Sequence, residues 1–134
     1  MKSAAELAAE VRSRPDIAEA GMVLCHTGLV RSASRDGRPV SGLRVAADRV
    51  RLAEILEEGR RMDGILDVRI EIDADRDLAV GDAIMHLVVA GDYRENVIAA
   101  LSSVLDAVKS GVTAKTEFFT DGALAPSGAQ ANPS

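Results

Sequence analysis

An acidic chain gathers its positive charge in one place. Arg31, Arg35, Arg38 and Arg44 crowd around a single Asp36-Gly37 turn, with Arg49 just beyond, although the formal net charge of the chain is −5. Further along, Arg94 opens the longest periodic apolar segment, Lys109 closes it, and Lys115 follows. Arginines and lysines folded into one partly dry cavity bind an anion and stabilise negative charge as it develops. A lysine stripped of solvent loses basicity and becomes available as acid, base or nucleophile. Each of these side chains taken alone has a plainer reading as solvated surface charge. Lys109 suits the negative end of a helix dipole. Arg94 stands at the positive end, where a cation is slightly unfavourable unless it helps the free N–H groups hold an anion.

Other chemistry has less support. Cys25 is the single cysteine, so no disulfide forms within the chain and no Cys/His metal framework is spaced out; neither metal nor cofactor is expected. His26 and His86 fall in separate β segments. His86, inside an apolar run, reads as a satisfied core or edge residue. His26 does not couple to Cys25, because adjacent strand side chains point to opposite faces. No nucleophile–His–acid set declares itself, and no glycine-rich phosphate loop is present.

The bulk properties bound the answer further. A chain of 134 residues makes one domain with a real core. Its apolar share is 47%, but Phe118, Phe119 and Tyr93 are its only aromatics, so the core must be aliphatic. Stacking platforms for single-stranded nucleic acid are then hard to build, and the negative total argues against general binding to a phosphate backbone. No apolar run reaches membrane-spanning length and the N-terminus has no signal-peptide core. With one cysteine, these features predict a soluble cytoplasmic protein.

The elements that must position the cations are legible from periodicity. Ser3-Ala-Ala-Glu6 has the form of a capping box, Leu7, Ala8 and Val11 follow at helical spacing, and Pro15 stops a helix over residues 4–13. GMVLCHTGLVR is β in character, interrupted at Gly28 in a way that suggests a bulge. Residues 34–38 form a turn, and Val40 to Ala46 resume a strand. Asp48 is an N-cap for a helix bearing Leu52, Ile55, Leu56 and Gly59 on one face, ended near residue 62 by Gly64. In ILDVRIEIDA, Leu66, Val68, Ile70 and Ile72 alternate with Asp67, Arg69 and Glu71, predicting one buried face and one wet face. DLAVGD reads as a turn, and AIMHLVVAG as a central strand. Asp92 and Glu95 form a cap-like pair before a helix with apolar residues from Val97 to Val108, which Gly111 breaks. TAKTEFF makes a last strand. The order α, β, β, α, β, β, α, β predicts an α+β domain over 1–119, with helices on a mostly antiparallel or mixed sheet. From Thr120 to Ser134 the composition predicts a disordered tail.

In this order and spacing, GMVLCHTGLVR, the Arg-bearing hairpin, DLAVGDAIMHLVVAGDYRENVIAAL and LDAVKSGVTAKTEFF resemble the large, catalytic subunit of molybdopterin synthase, the MoaE family. The resemblance spans roughly residues 18–119. It implies an α/β hammerhead-like fold and a homodimer. It implies a small ubiquitin-like partner whose C-terminal thiocarboxylate enters each site, giving a heterotetramer, and sulfur transfer to a cyclic pterin phosphate that builds the molybdopterin dithiolene. By the same resemblance, Arg31 and Arg94 bind anions, with Arg38 and the other hairpin arginines extending that pocket, while Lys109 and Lys115 are the catalytic lysines. Tyr93 stands where the family has histidine, His26 where phenylalanine is usual, and the lysine spacing is one residue shorter, a slip that reverses facing in a regular strand. Two functions follow as expectations: an active synthase subunit, or a non-catalytic paralogue that keeps the binding of a ubiquitin-like partner.

Overall fold

A computed structural model describes residues 1–120 and the short strand at 124–126. In chain order it contains α1 (Ala4–Arg12), a 3-10 turn (Ile17–Glu19), β1 (Met22–Leu29), β2 (Val40–Ala47), α2 (Arg49–Arg60) and β3 (Ile65–Ile72). Then come β4 (Asp77–Ala79), β5 (Ala83–Gly91), α3 (Arg94–Gly111), β6 (Thr113–Phe119) and β7 (Leu124–Pro126). The strands form two sheets in which every pairing is antiparallel, ordered β1-β5-β3 and β4-β2-β6-β7. The α+β expectation holds, with two sheets in place of one. The expected turn DLAVGD begins as β4, which pairs with β2 through Leu43 and Leu78. Within the tail expected to be disordered, the Thr120 N–H donates to the Pro39 carbonyl and Leu124–Pro126 pairs with β6; residues 121–123 and 127–134 lie outside the described residues.

β5 is apolar almost throughout because it is central and covered on both faces. Met85, Leu87 and Val89 join the main core with Val97, Ala100, Val104 and Val108 of α3 and Leu52 and Ile55 of α2. Val88 and Ala90 face the other way and meet Leu7 and Val11 of α1. Two helices therefore close one side of the three-stranded sheet and α1 closes the other.

The helix starts show which caps the sequence predicts well. Ser3 and Glu6 complete a capping box on α1, and the Asp48 carboxylate accepts the Arg51 N–H at the start of α2. The Asp92–Glu95 pair does not cap α3. Tyr93 is its N-cap and gives no side-chain bond. The Asp92 carboxylate instead accepts the Tyr93 N–H at 2.6 Å and the Asn96 amide at 2.9 Å. Gly64, in the left-handed region with φ 73°, makes the reversal from α2 into β3.

β3 departs from its predicted alternation. Its register against β5 shifts between Ile65 and Asp67. The bulge turns Leu66 toward the α1 cluster, away from Val68, which packs in the main core. Asp67, predicted to be wet, is 2% exposed. It is buried because α1 and the chain after it cover that face. Its carboxylate accepts hydrogen bonds from Arg69 Nε at 2.8 Å, Arg60 Nε at 3.2 Å and the Val68 N–H at 2.8 Å. Arg14 lies 3.3 Å away. Arg69 and Lys2 continue the network to Glu10 of α1. Burial opposes the charge on Asp67, but Arg69, Arg14 and Arg60 outweigh it and hold the carboxyl below its ordinary value.

Asp67 thus ties α1, α2 and β3 together through opposed charges. Replacing Asp67 by Ala leaves three guanidinium groups facing one another, and stability falls by about 3 kcal/mol. Urea unfolding reads this as a lower midpoint with an unchanged slope. In the wild type this contribution is present at neutral pH and is lost as pH falls through the depressed Asp67 pKa, below about 3.9; the variant lacks that acid limb.

Candidate functional site

The lysines owe their setting to the ends of α3 and β6. Lys109 lies in the last turn of α3. Four residues past the helix end at Gly111, β6 carries Lys115 opposite Val45, and then Glu117 opposite Leu43. Val45 and Leu43 are core residues, so the face of β6 that bears Lys115 and Glu117 is the inward one. The shorter lysine spacing does not turn Lys115 outward. Glu117 itself is 8% exposed.

The hairpin between β1 and β2 is braced from within. Ser34 is buried; its hydroxyl bonds the Asp36 carboxylate and accepts the Arg38 N–H. Gly37, with φ 90°, lets the chain reverse between them. Val30 is pinned to the β4–β5 turn through Asp82 and Gly81. Arg38 lies over the Phe119 ring, 3.7 Å from its centroid, a cation–π contact that fastens the hairpin to the end of β6. Arg31 and Arg35 are exposed on this braced loop.

Electrostatics shows which of these groups are neighbours. Burial, then the charge of Lys115, push the Lys109 ammonium down to about 8; Asp106 opposes this and Arg35 adds to it. Burial also lowers Lys115, against the pull of Glu117 and together with Arg31 and Arg35. His26 is lowered by burial and by the charge of Lys109. Lys109, Lys115, Arg31 and Arg35 are therefore brought together, with His26 at the edge of the group. The two lysines are half-buried and the two arginines exposed, so the charges of the lysines act in a setting drier than bulk water.

Two expected site residues stand elsewhere. Tyr93 is 70% exposed, and the Arg94 side chain is 80% exposed, paired only weakly with Glu95 at 3.3 Å. Both lie at the start of the 18-residue helix that ends near Lys109. At about 1.5 Å per residue the two ends are roughly 22 Å apart. A single chain does not bring Arg94 to the lysines.

The sequence marks His26 as a neighbour of Cys25 and as a departure from the phenylalanine that the resemblance places there, but not as a site residue. The usable signal was its parity with Met22 and Leu24, which pack against the main core beneath α3. Cys25 is exposed on the opposite face. His86 accepts or donates at Nδ1 with the Thr27 hydroxyl at 2.8 Å, across the β1–β5 pair, as a satisfied residue.

Lys109 titrates near pH 8 in the folded chain, where an ordinary lysine titrates near 10.4. Its nitrogen resonance in a pH series locates the midpoint. Lys115→Met removes the neighbouring charge and moves that midpoint upward. Because the folded pKa lies below the unfolded one, the ammonium form opposes folding. Stability therefore rises with pH between about 8 and about 10.4 as Lys109 sheds its proton in the folded state first.

The family model for the MoaE protein matches residues 2–111. No curated protein matches the chain. Among solved structures, the molybdopterin biosynthesis MoaE protein from Burkholderia ambifaria has a TM-score of 0.72 at 22% identity, covering 98% of this chain and 87% of that one. Molybdopterin cofactor biosynthesis protein E from Burkholderia multivorans has a TM-score of 0.67 at 26% identity, with coverage of 94% and 84%. A complex of subunits 1 and 2 of molybdopterin-converting factor from Helicobacter pylori has a TM-score of 0.71 at 14% identity, with coverage of 98% and 88%. Given the cation group at the junction of α3, β6 and the hairpin, and a family match running from α1 to the end of α3, this chain belongs to the MoaE protein family.

Proposed function

We propose that this chain is the large subunit of a molybdopterin synthase and acts in molybdenum-cofactor biosynthesis. In this reading it promotes sulfur transfer from the C-terminal thiocarboxylate of a small ubiquitin-like subunit to a cyclic pterin monophosphate. Membership of the MoaE family supports the pathway. The observation that carries the chemistry is the lysine pair of lowered basicity beside Arg31 and Arg35. Both proposed ligands, a thiocarboxylate and a phosphate ester, are anions. Lys109 and Lys115 bind them and stabilise negative charge at the reacting carbonyl, and Arg31 takes the phosphate. Arg38, clamped on Phe119, holds the hairpin in place beside the pocket.

The Helicobacter pylori complex contains two subunits of a molybdopterin-converting factor, which supports a small partner here. The assembly is a homodimer flanked by two small subunits. Tyr93 and Arg94, exposed and remote from the lysines of their own chain, serve a site formed with the second protomer. Among the described residues no helix is long and apolar enough to cross a membrane, consistent with a cytoplasmic setting. A second reading, a paralogue that binds the small subunit without turnover, is favoured by one feature: Tyr93 occupies the position where the resemblance places histidine.

Reconstitution with a thiocarboxylated small subunit and the pterin precursor tests both. The wild type forms dithiolene product. Lys109→Ala lowers the rate by at least about a hundredfold with an unchanged circular dichroism spectrum, and Arg12→Ala on the exposed face of α1 leaves it unchanged. The KM for the anionic ligands rises as pH passes about 8, where Lys109 loses its charge. A wild type that binds the small subunit and forms no product selects the paralogue reading.

A further inference from the structure

His26 has a place in the site that sulfur transfer by the lysines does not use. Its Nε2 is buried and has no hydrogen-bond partner among the described residues. A buried polar atom left without a partner costs free energy, so a position that keeps one calls for a ligand. The ring shares the inward face of β1 with Met22 and Leu24 and is paired with Leu87 of β5. It cannot swing to solvent on the other face, where Cys25 is exposed. The charge it feels most is that of Lys109.

Lys109, whose charge reaches it, belongs in turn to a set of cations that act on the two lysines. Lys109 comes from α3, Lys115 from β6, and Arg31 and Arg35 from the hairpin. Asp106 on α3 and Glu117 on β6 are the anions that act on the lysines. Burial, and then the charge of Lys109, hold the imidazole below its ordinary value and favour its neutral form. An oxyanion docked on the lysines reverses the sign of the local field. A neutral imidazole then has reason to take a proton and donate it toward the anion.

We propose that His26 is a further ligand-binding residue of the lysine cluster, its Nε2 donating a hydrogen bond to the docked oxyanion as the ring takes up a proton from solvent. The reaction balances as imidazole plus one solvent proton giving imidazolium, with no other bond made or broken. The proposal rests on reading the cluster as an anion site. It makes docking proton-linked: each unit by which the anion raises the His26 pKa strengthens binding about tenfold at low pH. Both candidate anions, a phosphate ester and a C-terminal thiocarboxylate, share this chemistry.

The test uses the full chain and the two histidine ring signals, His26 and His86. Inorganic sulfate stands for the phosphate and remains a dianion throughout; acetate stands for the planar carboxylate. Chloride keeps ionic strength constant. The pKa of His26 rises on saturation with one or both probes, and the probe that acts names the source. Wild-type affinity for that probe increases as pH falls from about 7 to about 5, a window in which Lys109 is already charged. His26→Gln, which keeps a donor but cannot titrate, binds at pH 7 like the wild type and loses the increase. His26→Phe binds more weakly at both ends. A His26 pKa that moves with neither probe overturns the proposal, as does an unchanged pH dependence in His26→Gln. A shift of Lys109 without one of His26 overturns it while leaving the lysines as an anion site. Failure of the synthase reading registers separately, as absent product in the reconstituted reaction.

Discussion

Like charges repel, and this fold holds several of them together. Lys109 feels Lys115 and Arg35, and Lys115 feels Arg31 and Arg35, from half-buried positions where repulsion is larger than in water. Such a group persists only because other interactions fix the elements that carry it. The aliphatic core does this work: Val104 and Val108 lock α3 onto the three-stranded sheet, and Leu43 and Val45 hold β2 under β6. Part of the cost is then relieved chemically, since a lysine pushed down toward neutrality repels its neighbours less.

The two faces of the three-stranded sheet treat charge in opposite ways. On the α1 face, Asp67 is surrounded by Arg14, Arg60 and Arg69 and the charges largely cancel. Beneath the end of α3, Lys109 and Lys115 feel Arg31 and Arg35 as well as Asp106 and Glu117, and both lysines end with lowered basicity. The first arrangement stabilises an assembly of helices; the second holds two half-buried lysines below their ordinary basicity. Both sit on opposite sides of a sheet whose middle strand is β5.

Periodicity made most of the fold legible. The stripe from Val97 to Val108, the continuous run of β5, the Ser3 box and the Asp48 cap all followed from local rules that the tertiary structure respects. The failures have a common origin in contacts that no local pattern encodes. Asp67 was read as wet because alternation cannot foresee that α1 will fold across that face. Leu66 changed sides because one bulge shifts the parity of the strand. Asp92 took a different partner at α3 because Asn96 was within reach. In the site, Lys109, Lys115 and Arg31 could be named from spacing and resemblance, and Arg35 from the crowding on the hairpin. His26 could not, since no local pattern shows that its Nε2 is buried without a hydrogen-bond partner among the described residues.

The scarcity of aromatic residues leaves one useful signal. The chain has no tryptophan and a single tyrosine, Tyr93, and that ring stands 70% exposed at the opening of α3. Intrinsic emission excited near the tyrosine band therefore comes from one spot on the surface, free of background from the interior. Any second molecule that covers the far end of that helix changes the quantum yield and anisotropy of this lone fluorophore, so the protein carries its own optical gauge of assembly at that point.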